Sequence, residues 1–141
     1  MATIIDIANA VVATLNTGTF SQAFTAERHY LPRYELPDLA TLRVSVVPKG
    51  IASEALDRNR DRVDYRIDVA VQHKAGVELA TLDALMTLAE EIGDYLQGTP
   101  LVGFPQARCV DMVHEPIYAP EHLDEFRAFT SVMTFTYRMW R

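Results

Sequence analysis

The sequence predicts an α+β domain, a mostly antiparallel β-sheet of about five strands flanked by two helices. Three observations lead there. Residues 63–72 alternate strictly between apolar and polar side chains. Residues 77–97 carry a long apolar stripe at helical spacing. Candidate strands cluster in two groups on either side of that helix, which is not the regular β-α alternation of a parallel sheet.

Taken in order, residues 3–16 read as a helix. Ile4, Ile7, Ala8, Val11 and Leu15 recur at helical spacing, Thr3 can serve as N-cap, and Asp6 lies near the positive helix end. Gly18 falls where C-terminal caps are common. Residues 19–31, with Phe20, Phe24 and Tyr30, read as extended. Pro32 and Pro37 make 32–40 a loop. The run at 41–50 places Leu42, Val44 and Val46 on one face, and Pro48 and Gly50 are expected to end it. Residues 51–62 are the least core-like part. Asp57, Arg58, Arg60, Asp61 and Arg62 crowd together there, so an exposed loop or hairpin tip is expected.

The strand at 63–72 buries Val63, Tyr65, Ile67, Val69 and Val71, and presents Asp64, Arg66, Asp68, Ala70 and Gln72 on its other side. In the second helix Leu82, Leu85, Met86, Ala89, Ile92 and Leu96 form the stripe, and Gly98 and Pro100 stop it. Residues 106–115 read as a strand and 116–125, with Pro116 and Pro120, as a connection. The final strand spans about 127–139. Phe129, Met133, Phe135, Tyr137 and Met139 share one face, and Thr130, Thr134, Thr136 and Arg138 the other.

A chain of 141 residues without an internal repeat or linker is expected to form one domain, 1–141. A net charge of -6 argues against general attraction to nucleic-acid phosphates. The single cysteine, Cys109, permits no intrachain disulfide and reads as a small apolar strand residue. No signal-type segment and no apolar run of the roughly 20 residues that span a membrane are present, so a soluble, cytoplasmically made protein is expected.

Chemistry is sparse. His29, His73, His114 and His122 make no metal-ligand spacing, and no cofactor motif, phosphate loop or nucleophile elbow is found. Asp64 and Asp68 share a strand face, with Asp111 able to join from a neighbour, and clustered acids of this kind can hold Mg²⁺ in a nuclease. Arg66 lies between them, which favours cross-strand ion pairs over a metal. Catalytic, cofactor and metal sites are therefore all expected to be absent. Two features point instead to a protein partner. The 51–62 segment is long and charged for a hairpin connection. The last strand has a flat, Thr-rich face, is read as a weakly protected sheet edge, and ends at Trp140. The expected subunit interface is Asp57, Arg58, Arg60, Asp61, Arg62, Thr134, Thr136 and Arg138.

The order and spacing of DIANAVVATLN at 6–16, FSQAFTAERHYLPRYEL at 20–36, TLRVSVVPKG at 41–50, VDYRIDVAVQ at 63–72 and AFTSVMTFTYR at 128–138 resemble the tail-terminator and head–tail joining proteins of long-tailed bacteriophages, of which the phage lambda tail terminator is the familiar example. The resemblance implies a ring-forming subunit, a homohexamer, that caps the tail tube and meets the head connector in the neck of the virion. Its partners would be further copies of itself, the tail-tube protein and the connector. DNA would pass through the lumen without specific binding. Assembly would take place in the bacterial host cytoplasm, with no membrane and no catalytic residues. An adjacent connector ring, a small metal-dependent nuclease using Asp64, Asp68 and Asp111, and a free peptide-binding module are the alternatives.

Overall fold

The computed structural model describes residues 3–30, 42–74, 78–114 and 128–140. The elements follow the expected order: α1 (Thr3–Thr17), β1 (Ala26–Arg28), β2 (Arg43–Ala55), β3 (Asp61–Lys74), α2 (Leu79–Gly98), β4 (Arg108–Val113) and β5 (Ala128–Trp140). The proline-bearing segments at 32–40 and 116–125, with His122, lie outside the described residues.

The five strands form one sheet in the order β1-β2-β3-β5-β4. All neighbours are antiparallel except β1 and β2, which run parallel over three residues. Both helices pack on one face of this sheet. Ile7, Val11 and Leu15 of α1 and Leu85, Leu88, Ile92 and Leu96 of α2 join Val44, Val46, Tyr65, Ile67, Val69, Met133, Phe135 and Tyr137 in a single buried cluster. The apolar stripes of the helices meet the apolar alternation of the strands there, even-numbered in β2 up to Val46 and odd-numbered in β3 and β5, which is the arrangement their spacing predicts.

Short polar contacts fix the first helix to the sheet and to α2. Asn16 clamps β1 from both sides: its Oδ1 accepts from the Ala26 amide at 2.8 Å and its Nδ2 donates to the Ala26 carbonyl at 3.2 Å. Buried Thr14 donates to the Ala10 carbonyl at 2.7 Å and accepts from the Val102 amide at 2.9 Å. Ser21 binds Glu91 of α2 through its hydroxyl at 2.6 Å. Phe20 lies edge-on to Tyr95 with ring centroids 5.2 Å apart. A Cβ at Gly18 would stand 2.8 Å from the Phe20 ring, so glycine is needed there for ring packing.

Several expectations are corrected. Among the described residues 19–30 only Ala26–Arg28 is a strand. Thr3 already lies within the helix. Strand β2 does not end at Pro48 and Gly50. Pro48 pairs with Ile67 and Gly50 with Arg66, so Lys49 is an extra residue, a β-bulge that lets the strand continue to Ala55. The bulge also switches phase: Val44, Val46 and Pro48 share the helix side before it, Ile51 and Ser53 after it. Finally, β5 is no edge strand. It lies between β3 and β4 and is paired on both sides over Thr134–Arg138, and among the described residues the outer strands are β1 and β4.

Candidate assembly surface

Strand and helix lengths do not match. At ~3.4 Å per residue the 14 residues of β3 span about 48 Å. The 20-residue α2 covers about 30 Å at ~1.5 Å per residue, and the 15-residue α1 less. The β2–β3 hairpin therefore projects past the helices as an arm. Ile51 remains 59% exposed although it faces the helix side, and Leu56 near the apex is 46% exposed.

The arm's tip is ordered by its own side chains. The Asp57 Oδ1 accepts from the amides of Asn59 and Arg60, both at 2.8 Å. The amide of Leu56 donates to the Arg60 carbonyl at 3.1 Å. Glu54 and Arg62 form an ion pair across the hairpin. The Arg60 guanidinium stands 5.3 Å from the ring centre of Trp140, and this cation–π contact ties the tip to the end of β5. Arg58 and Asp61 are exposed, and neither has an ion-pair partner among the described residues.

Below the arm, the face away from the helices carries cross-strand rows. Ala52, Asp64, Arg138 and Arg108 form one row; Gly50, Arg66, Thr136 and Asp111 form the next; Val47, Asp68, Thr134 and Val113 form a third. Arg138 grips Asp64 with Nε at 2.8 Å and Nη2 at 3.2 Å. That hydrogen bond holds the Asp64 carboxyl below the usual carboxylate range, and the charges of Arg138, Arg62 and Arg66 act in the same direction. Thr134 donates to Asp68 at 2.6 Å, and Lys49 reaches the same carboxylate at 3.8 Å. The interface residues read from the sequence thus fall into two groups. Asp57, Arg58, Arg60, Asp61 and Arg62 build the tip, while Thr134, Thr136 and Arg138 sit on the open sheet face. Further along, this face is not uniformly solvated, since Ser45, Ala70, Gln72 and Thr130 are buried.

The chemistry-bearing residues are dispersed or engaged. Asp111 shares its row with Arg66 and not with Asp64 or Asp68. Among the described residues no three His, Cys, Asp or Glu side chains come together as metal ligands. Burial pushes the Cys109 thiol up, away from the reactive thiolate. One pairing was invisible in the sequence: the His114 Nε2 lies 2.6 Å from the Ser131 Oγ. Ser131 is fully buried, and burial shifts His114 below its ordinary range. A hydroxyl without access to solvent has no route to a substrate. Seventeen residues separate the two, so only the fold brings them together.

A second feature without a sequence signal is a cleft of about 430 Å³ at the base of the arm, where α2 ends and β4 begins. Leu96, Pro100, Pro105, Ala107, Arg108 and Tyr137 contribute to its lining. The Tyr137 hydroxyl is buried without a hydrogen-bond partner among the described residues. Charge is also layered. The two helices carry Asp6, Asp83, Glu90, Glu91 and Asp94 and no lysine or arginine, so the basic residues lie in strands and connections. No helix among the described residues is long and apolar enough to cross a membrane.

No protein-family model matches the chain, and no curated protein matches it. Solved structures do. The chain is similar to one from the virion of a native gene transfer agent particle, with 20% identity, a TM-score of 0.53, and coverage of 93% of this chain and 84% of that one. It is also similar to the sheath/tube terminator of an extracellular contractile injection system, PVC, in the extended state, at 16% identity and a TM-score of 0.48. That alignment covers 100% of this chain and 57% of the other. With the gene transfer agent chain it shares an overall fold.

Proposed function

We propose that this chain, acting as one domain, is a structural subunit of a phage-like particle. It forms a ring at the head-proximal end of the tail, caps the tail tube and joins it to the head connector. The observation that carries the reading is the fold shared with a chain of a gene transfer agent virion over 93% of the present chain. The sequence resemblance to tail terminators points the same way. The surface supports it: an ordered arm and two sheet edges unpaired among the described residues suit side-by-side contacts that close a ring. The role is one of shape, without cofactor or catalysis. Asp64 and Asp68, which a metal-dependent nuclease would need, are spent on Arg138 and on Thr134 with Lys49. Genomic DNA would pass through the lumen, and any stretch of wall built from the acidic helices would repel its phosphates.

Electron microscopy of particles made without this gene tests the proposal. Tails of abnormal length and heads left unjoined are expected. Normal tails that merely lack heads would move the protein to the connector ring. Complete, infectious particles would overturn the reading.

A further inference from the structure

The arm projects past the helices, and the cleft of about 430 Å³ opens at its base. Strand β4 begins at Arg108, in register with Arg138, whereas β5 runs on to Trp140. Among the described residues a notch therefore opens beside the last residues of β5, next to the cleft and at the β4 edge of the sheet. Neither lysine nor proline guards this edge, and Val110 and Val113 are each 44% exposed along it. The notch is short of two things. Arg108 stands directly opposite Arg138, and like charges so placed repel. Arg138 is neutralised by Asp64, but Arg108 has no counter-ion among the described residues. The Tyr137 hydroxyl, in a side chain only 1% exposed, has no hydrogen-bond partner among them either.

The arm tip is complementary. Asp61 is exposed and has no cation paired to it among the described residues. Leu56 offers an apolar group beside it, matching Leu96, Pro100, Pro105 and Ala107. We infer that the cleft and the β4 edge receive the arm of the next copy of this chain, with Asp61 of one copy paired to Arg108 of the other and Leu56 seated in the cleft. The contact joins two different surfaces, so it repeats head to tail and can close a ring. The inference rests on the ring reading above and gives that ring its register.

Cys109, the chain's lone cysteine, lines the same cleft and supplies the test. A full-length Leu56→Cys variant under mild oxidation should give a covalent ladder from dimer upward on a denaturing gel. An Asp83→Cys control on the exposed side of α2 should not. Arg108→Glu and Asp61→Arg should each lower the ring fraction, read by sedimentation and by complementation of a gene-deletion lysate, about tenfold or more, since each 1.4 kcal/mol of lost contact is one decade. The double exchange should recover most of it. Rings from the wild-type chain without a ladder, a ladder that stops at dimers, or no rescue in the double variant would overturn the docking while leaving the ring intact. If the wild type forms no ring with or without tail tubes, the ring reading itself fails.

Discussion

Replacing Tyr137 by Phe removes one oxygen and nothing else from the core. The ring stays stacked on Phe135, their centroids 6.5 Å apart, and no hydrogen bond within the described residues is lost. A hydroxyl buried without a partner costs about 1–3 kcal/mol of desolvation, so Tyr137→Phe should stabilise the isolated subunit by about 1 kcal/mol or more. For a chain of this length that corresponds to a rise of roughly 3–6 °C in Tm. Urea melts and calorimetry at neutral pH on the isolated subunit measure it directly. Alkaline melts add a second arm. Burial raises the Tyr137 pKa above its ordinary value. The unfolded chain ionises first, near pH ~10, so the wild type should lose stability as pH climbs past that point. The variant should lack this part of the slope. A loss of more than about 1 kcal/mol at neutral pH would falsify the reasoning, because it would reveal a favourable hydrogen bond from a group taken here as unsatisfied.

Other expectations concern charge and packing. The Asp64 carboxyl, depressed chiefly by its hydrogen bond from Arg138, contributes stability that is fully present above the ordinary carboxylate range and is lost as pH falls through its folded value. Asp64→Asn should therefore flatten the acid limb of a stability–pH curve below about pH 4, and an unchanged limb would show that the pair contributes nothing. At Gly93 an added Cβ would lie 3.3 Å from the Met112 Cε and 3.6 Å from the Met133 Sδ. Flexible methionines can yield to one methyl, and the helix gains up to about 1 kcal/mol from alanine, so Gly93→Ala should be close to neutral in a thermal melt. Gly93→Leu should overpack the α2–β5 contact and cost about 1–3 kcal/mol.

Much of the architecture was legible because two periodicities rarely mislead. The stripe from Leu82 to Leu96 and the alternation from Val63 to Val71 became the helix and strand they imply. What escaped has specific causes. Pro48 and Gly50 look like a stop, but a bulge absorbs both the missing amide and the extra residue Lys49. Strand β5 read as an edge because its polar face is flat and Thr-rich, yet β4, earlier in sequence, lies outside it. Alternation reports which face is buried and says nothing about which neighbour a strand has. The polar face of β3 was read as open, although Ala70 and Gln72 are buried on it. The crowding of charges between Asp57 and Arg62 marked an exposed stretch, and the structure places it at the end of the β2–β3 hairpin. The cleft had no local signature, since Leu96, Pro105 and Tyr137 meet only through the packing of α2 against the sheet.

The extra residue at Lys49 separates two parts of the hairpin. On its tip side β2 is exposed from Ile51 to Ala55, while Val63 and Tyr65 on the facing strand still belong to the shared core. Inserting or deleting residues in matched pairs, one on each strand beyond the Ser53–Val63 pair, would change the arm's reach without re-phasing a core side chain. The hairpin thus works like an adjustable spacer, through which related particles could fit neighbouring parts of different girth while the body of the subunit stays the same.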